Sequence, residues 1–241
     1  MKAGSILCVV AAGAILVLGS AASAVNMETV PVGNIGNTDD THSGGYGAVD
    51  YEYRIGRYEV TAGQYTEFLN AVAGTDTYGL YSSNMWSNFY GCKIERYAGS
   101  GTPGDPYEYQ VAADWANRPV NFVSWGDAAR FANWLHNDQR SGPQDLTTTE
   151  DGAYHLDGAT SNPDLLAVSR EGDWKWAVPT EDEWYKAAYH KNDGDTGHYF
   201  DYPTSSDTVP SNYLIDPDPG NNATFYDIPH GYTIGYPYYR T

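Results

Sequence analysis

WAVPTEDEWYKAAYH, residues 176–190, sets three consecutive acidic residues between a proline and two tyrosines. The stretch reads either as a cluster of working carboxylates or as the start of a capped helix. Pro179 bars the residue before it from helical backbone. Thr180 can then accept from the Glu183 N–H while the Glu183 carboxylate reaches back to Thr180, a reciprocal capping box. Glu181 and Asp182 fall at the positive end of the helix dipole, and Lys186, His190 and Lys191 toward its negative end. Every charge thus has a place in a helix start, and Trp184, Ala187 and Ala188 are expected to pack into the core.

The same grammar occurs twice upstream. In YRIGRYEVTAGQYTEFLNAVA (53–73), Tyr53 to Val60 reads as a strand and Thr61 as an N-cap, with Gln64 three residues on to return the hydrogen bond. Tyr65, Phe68, Leu69 and Val72 then share one helix face. In RPVNFVSWGDAARFANWLHN (118–137), Val120 to Val123 is a short apolar strand candidate, Ser124 an N-cap and Asp127 a first-turn acid. Ala128, Phe131, Ala132 and Leu135 form its apolar stripe, leaving Asn133, Trp134 and Asn137 on other faces. The segments 74–104 and 141–173, and everything from Asn192 on, are rich in turn formers. A few helices and short strands among long loops predict an α+β domain low in regular structure, with loops that are functional or tied down by ions.

Residues 1–24 read as a secretory leader: Lys2 supplies the positive start, Ile6 to Leu18 an apolar run too short to span a bilayer, and Ala22-Ser23-Ala24 a cleavage site. The domain is then expected to be exported, to the periplasm or the cell surface, and to begin at Val25. Cys8 lies inside the apolar run rather than at the cleavage point, so lipid anchoring is not indicated. Cys92 would be the sole cysteine of the mature chain, which excludes an intramolecular disulfide; no histidine lies within twenty residues of it, so it reads as an incidental thiol. Removing the leader takes Lys2 and no acid, leaving 12 basic against 31 acidic residues, a net charge of −19. Nucleic acid and anionic membranes are poor partners for such a chain. With 35 aromatic residues, 22 of them tyrosine, a core is within reach.

The six histidines form no metal-binding spacing. The loops NDGDTG (192–197) and DPDPGNN (216–222) offer oxygen ligands of the kind Ca²⁺ prefers, but neither is an EF-hand, and turn chemistry explains them equally well. Nucleotide-binding and acyl-hydrolase motifs are missing. Scattered carboxylates could supply a glycosidase pair, but nothing selects which two.

Four segments together resemble one known family: METVPVGNIGN (27–37), YRIGRYEVTAGQYTEFLNAV (53–72), RPVNFVSWGDAARFANWL (118–135) and WAVPTEDEWYKAAYH (176–190). Their order and spacing are similar to those of the sulfatase-modifying-factor, or formylglycine-generating-enzyme type, domains. The resemblance implies a variant C-type-lectin-like fold with long loops, often stabilised by calcium. It also implies relatives that oxidise a sulfatase cysteine to formylglycine through a copper-binding cysteine pair, iron-dependent sulfoxide synthases, and secreted members of no known activity. The last group looks closest here.

The resemblance carries no catalytic residue onto this sequence. The family's C-terminal section, with a Gly-Asn-x-Trp-Glu-Trp motif and the cysteine pair, has no counterpart before Tyr238-Tyr239-Arg240-Thr241, so the sequence reads as the N-terminal portion of such a domain. Cys92 falls in an upstream insertion, copper is unsupported, and the paired histidines of the iron-dependent branch are missing. The resemblance does suggest a calcium position, with Thr224 where the family has an asparagine and Asn222 and Asp227 close enough to substitute. The expected function is therefore an exported domain of this type, not catalytic with the residues present. The alternative is an extracellular module that binds glycans or self-associates on a lectin-like scaffold. A third expectation is that apolar pairs such as Tyr65/Phe68, Phe131/Leu135 and Trp184/Ala188 lack some of their packing partners.

Overall fold

A computed structural model describes residues 24–41, 44–194, 197–212, 220–223 and 225. Two small antiparallel sheets and a few helices carry the regular structure, and long loops connect them. In the first sheet β1 (Thr29–Val32) pairs with β2 (Tyr53–Gly56), with Val30 opposite Ile55. β2 is shorter than the expected strand, because after the bond from Arg57 N–H to Glu28 O the chain bends away from β1.

α1 (Ala62–Val72) starts at the expected box: the Thr61 hydroxyl accepts from Gln64 N–H at 3.2 Å, and Gln64 Oε1 accepts from Thr61 N–H at 2.9 Å. Its predicted face is the centre of the core, with Tyr65, Phe68, Leu69 and Val72 all buried. Phe68 meets Phe131 and Trp134 of α3 (Trp125–His136) with ring centroids 5.3 Å apart in both pairs. Burying one such ring stabilises the fold by about 1.5–3 kcal/mol. α2 (Asn84–Ser87) and the second sheet, β3 (Ile94–Ala98) paired with β4 (Glu108–Val111), cover the far side through Met85, Ile94 and Tyr109. α1 is tied to β4 by the Asn70 side chain, which donates to Tyr109 O and accepts from Tyr109 N–H, both at 2.9 Å.

Three further expectations are corrected. Val120 to Val123 is not a strand: Phe122 takes φ +59°, and the Asn121 side chain spends its amide on Tyr90 O and Cys92 N–H. α3 has the expected box, with Ser124 and Asp127 as its partners, but it is covered well beyond its apolar stripe. Asn133 and Trp134, placed on outer faces by the pattern, are buried because the loop over 140–158 lies against them. Asn133 Nδ2 donates to Thr149 O and Tyr154 O, its Oδ1 accepts from Tyr154 N–H, and Trp134 Nε1 donates to Arg140 O. In the same layer Arg130 and Glu150 form a fully buried ion pair at 2.7 and 2.8 Å, and α4 (Asn162–Leu166) follows.

The third correction concerns α5 (Glu181–Tyr189). Thr180 and Glu183 close the box as expected, yet Trp184 is 51% exposed and Ala187 and Ala188 are half-buried. The buried positions are the charged ones, Glu183 and Lys186. Lys186 Nζ donates to Asn34 O and Val49 O, so α5 holds the N-terminal loop through a cation on carbonyls rather than through apolar contact. Asp182 Oδ1 accepts from Gly47 N–H in the same junction.

Candidate functional site

The sequence holds two cysteines, Cys8 near its start and Cys92. Cys92 is 1% exposed and belongs to the core cluster with Ile94 and Tyr109. Its N–H donates to Asn121 Oδ1 at 3.0 Å, and Sγ approaches Asn121 O at 3.9 Å. Burial pushes the thiol above its ordinary range. A buried, predominantly protonated sulfur is a poor nucleophile and a poor metal ligand.

The open feature is a cleft of about 720 Å³. One wall is the continuous run Tyr53 to Val60, and the floor is the α3 stripe of Ala128, Phe131, Ala132 and Leu135 with Val120 and Val123. Trp174, Trp176, Trp184 and Ala188 close the other side, and Pro203 lies at the margin. Tyr65, Phe131 and Leu135 are well covered by the core even where they touch the cleft, whereas Trp184 is largely open. Among the described residues Tyr65, Phe68, Phe131 and Leu135 are therefore covered, while Ala188 is half-buried and Trp184 exposed.

Most of the charges around the cleft are engaged. Arg170 holds Glu183 at 2.9 Å through both terminal nitrogens and stacks over Trp174 at 4.6 Å. Arg57 meets Glu28 at 2.6 Å, Lys175 lies 3.7 Å from Asp138, and Arg54 donates to the Thr29 hydroxyl and carbonyl. Burial would raise the Glu183 carboxyl, but hydrogen bonds from Arg170, Tyr51 and Thr180 outweigh it and hold the group below its ordinary range. An ionised, fully bonded carboxylate has no proton to give and no lone pair to spare at neutral pH. The cleft is thus an apolar, aromatic groove with charged side chains at its rim. Pattern reasoning missed it, since its walls come from segments more than a hundred residues apart.

The calcium candidates are placed only in part. Asn222 forms a parallel bridge with Ser211 and donates from Nδ2 to Gly220 O at 2.9 Å, while Thr224 and Asp227 lie outside the described residues. Most of DPDPGNN lies outside them too, as do Asp195 and Thr196 of NDGDTG, where Asp193 meets His198 at 3.0 Å. Among the described residues no three His, Cys, Asp or Glu side chains gather as a metal site, and no helix is long and apolar enough to cross a membrane.

Residues 20–224 match the family model described as the sulfatase-modifying factor enzyme 1-like domain. Comparison with curated proteins and with solved structures gave no match.

Proposed function

Because the chain belongs to the sulfatase-modifying factor enzyme 1-like domain family, we propose that it is an exported member that does not oxidise a sulfatase cysteine with the thiols in this sequence. Cys92 carries the proposal. The sequence holds two cysteines, Cys8 in the apolar leader and Cys92 buried in the core, so no accessible thiol pair is available for a soft metal such as copper. Export is supported by the charge, apolar run and small-residue site of residues 1–24. The low content of helix and strand supports a variant of the C-type-lectin-like fold. Asn222, Thr224 and Asp227 are proposed to contribute amide, hydroxyl and carboxylate oxygens to Ca²⁺, the hard donors this ion takes.

The deciding experiment incubates the purified chain with Cu(I), oxygen and a peptide carrying a sulfatase motif. No aldehyde is expected; its formation would overturn the proposal. The cleft favours a second reading, an extracellular binding module, in which Trp184 and its neighbours take a glycan or another copy of the chain. Glycan arrays and concentration-dependent light scattering test it, and blank results in both remove those two ligands.

A further inference from the structure

Among the described residues one edge of β2 is unpaired, and its residues line the cleft. In an antiparallel ladder successive residues turn their N–H and C=O alternately toward the partner strand and away from it. Arg57 N–H donates to Glu28 O at 2.9 Å, so in the observed register Ile55 and Tyr53 also face β1. Arg54 and Gly56 turn their main-chain groups the other way. Pro31 confirms the phase: it lies opposite Arg54 at an outward position of β1, where no N–H is needed. The same proline spoils the outer edge of β1 for strand addition.

Gly56 lines the cleft, and a glycine can do so only with its main chain. All residues from Tyr53 to Val60 line it, which a strand showing one face alone could not do. Past Tyr58 the main chain is engaged: Val60 O accepts from Val120 N–H, and Ala62 N–H donates to Arg118 O. Among the described residues none bonds to the main chain of Arg54 or Gly56.

We propose that an extended strand from another polypeptide, apolar at alternate positions, adds to the Arg54–Gly56 edge of β2 and lays its apolar side chains on the apolar floor of the cleft. The edge identifies the partner's chemistry. Its donors and acceptors repeat about every 7 Å, the two-residue repeat of a strand, and a glycan has no matching row. Main-chain bonds then supply affinity, and the apolar floor reads every second side chain. This rests on the reading of the cleft as a binding surface. It stands or falls separately from the aldehyde test, which probes the thiols.

The experiment measures amide hydrogen exchange of the full chain, with and without a ten-residue peptide alternating valine or tyrosine with glutamate or lysine. At a peptide concentration about ten times its dissociation constant, exchange at Arg54 and Gly56 should slow about tenfold. Tyr53 and Ile55, already bonded to β1, should not change. The same peptide N-methylated at every second residue keeps its side chains but loses its donors, and should give no protection. Trp184→Ser should weaken binding of the unmodified peptide. Equal protection by the methylated peptide, or none by either, overturns the proposal. Protection of Arg54 and Gly56 without peptide also overturns it: lost on dilution, it assigns the edge to a second copy, and independent of concentration, to this chain itself.

Discussion

Arg170 grips Glu183 through two hydrogen bonds of 2.9 Å, and the same carboxylate caps α5 by accepting Thr180 N–H at 2.7 Å. Tyr51 donates its hydroxyl to this carboxylate as well, and Tyr53 donates to the Glu183 carbonyl. One side chain therefore joins the helix start, the loop before it and the strand that walls the cleft. Glu183→Gln should cost about 3 kcal/mol, because it strips the charge partner from a mostly covered Arg170. Urea denaturation at neutral pH measures this, and a loss near zero would show that the junction is slack.

The same group sets an acid limit. The Glu183 carboxyl stays ionised below its ordinary value of 4.5, so between the two values the unfolded chain binds the extra proton. Its contribution is complete above 4.5 and disappears as pH falls through the lower, folded value. Unfolding free energy should thus fall on the acid side of 4.5 in the parent, and the part of that slope due to this group should be missing in Glu183→Gln.

Arg130 and Glu150 are 1% and 2% exposed and meet at 2.7 Å. Arg130→Met or Glu150→Leu alone should cost about 3–5 kcal/mol, since each strands a buried charge. The double substitution should cost less than the sum of the two. A double-mutant cycle by chemical denaturation reads the coupling, and additive losses would mean that the pair does not act as a unit.

Cys92 should resist thiol reagents in the folded protein and react fully once guanidinium chloride unfolds it, because burial both shields it and keeps it protonated. Absorbance of the released chromophore follows the reaction. Rapid labelling under native conditions would contradict the core position and reopen the question of a reactive thiol.

If Asn222, Thr224 and Asp227 share Ca²⁺, excess calcium should raise Tm relative to a chelator, by roughly 2–4 °C for each kcal/mol of binding free energy at this chain length. Asp227→Asn should remove most of the shift. An unchanged Tm in the parent would remove calcium from the description.

Local chemistry was legible in the sequence, and distant chemistry was not. Thr61, Ser124 and Thr180 cap helices where the pattern puts them, because a capping box is completed within four residues. Trp184 is exposed against its hydrophobicity, because hydrophobicity alone does not say which face of α5 meets the N-terminal loop. That choice is made by Lys186, reaching Asn34 and Val49 more than 130 residues away. The β3–β4 pair escaped notice since its strands, IERYA and EYQV, alternate poorly and lie among glycines and prolines. The family was recognised from segments that are mostly capped helices and their approaches, while the cleft exists only where those segments meet in space.

Asn133 and Asn137 use side-chain amides to hold the carbonyls of Thr148, Thr149, Asp151 and Tyr154, and Asn70 and Asn121 do similar work elsewhere. Backbone that would otherwise need a neighbouring strand is satisfied one peptide at a time. The architecture is therefore modular in an evolutionary sense: stretches between such anchors can lengthen, shorten or change composition without breaking a shared hydrogen-bond ladder. A scaffold fastened at points rather than along edges can diversify its surface while leaving the aromatic core as it is.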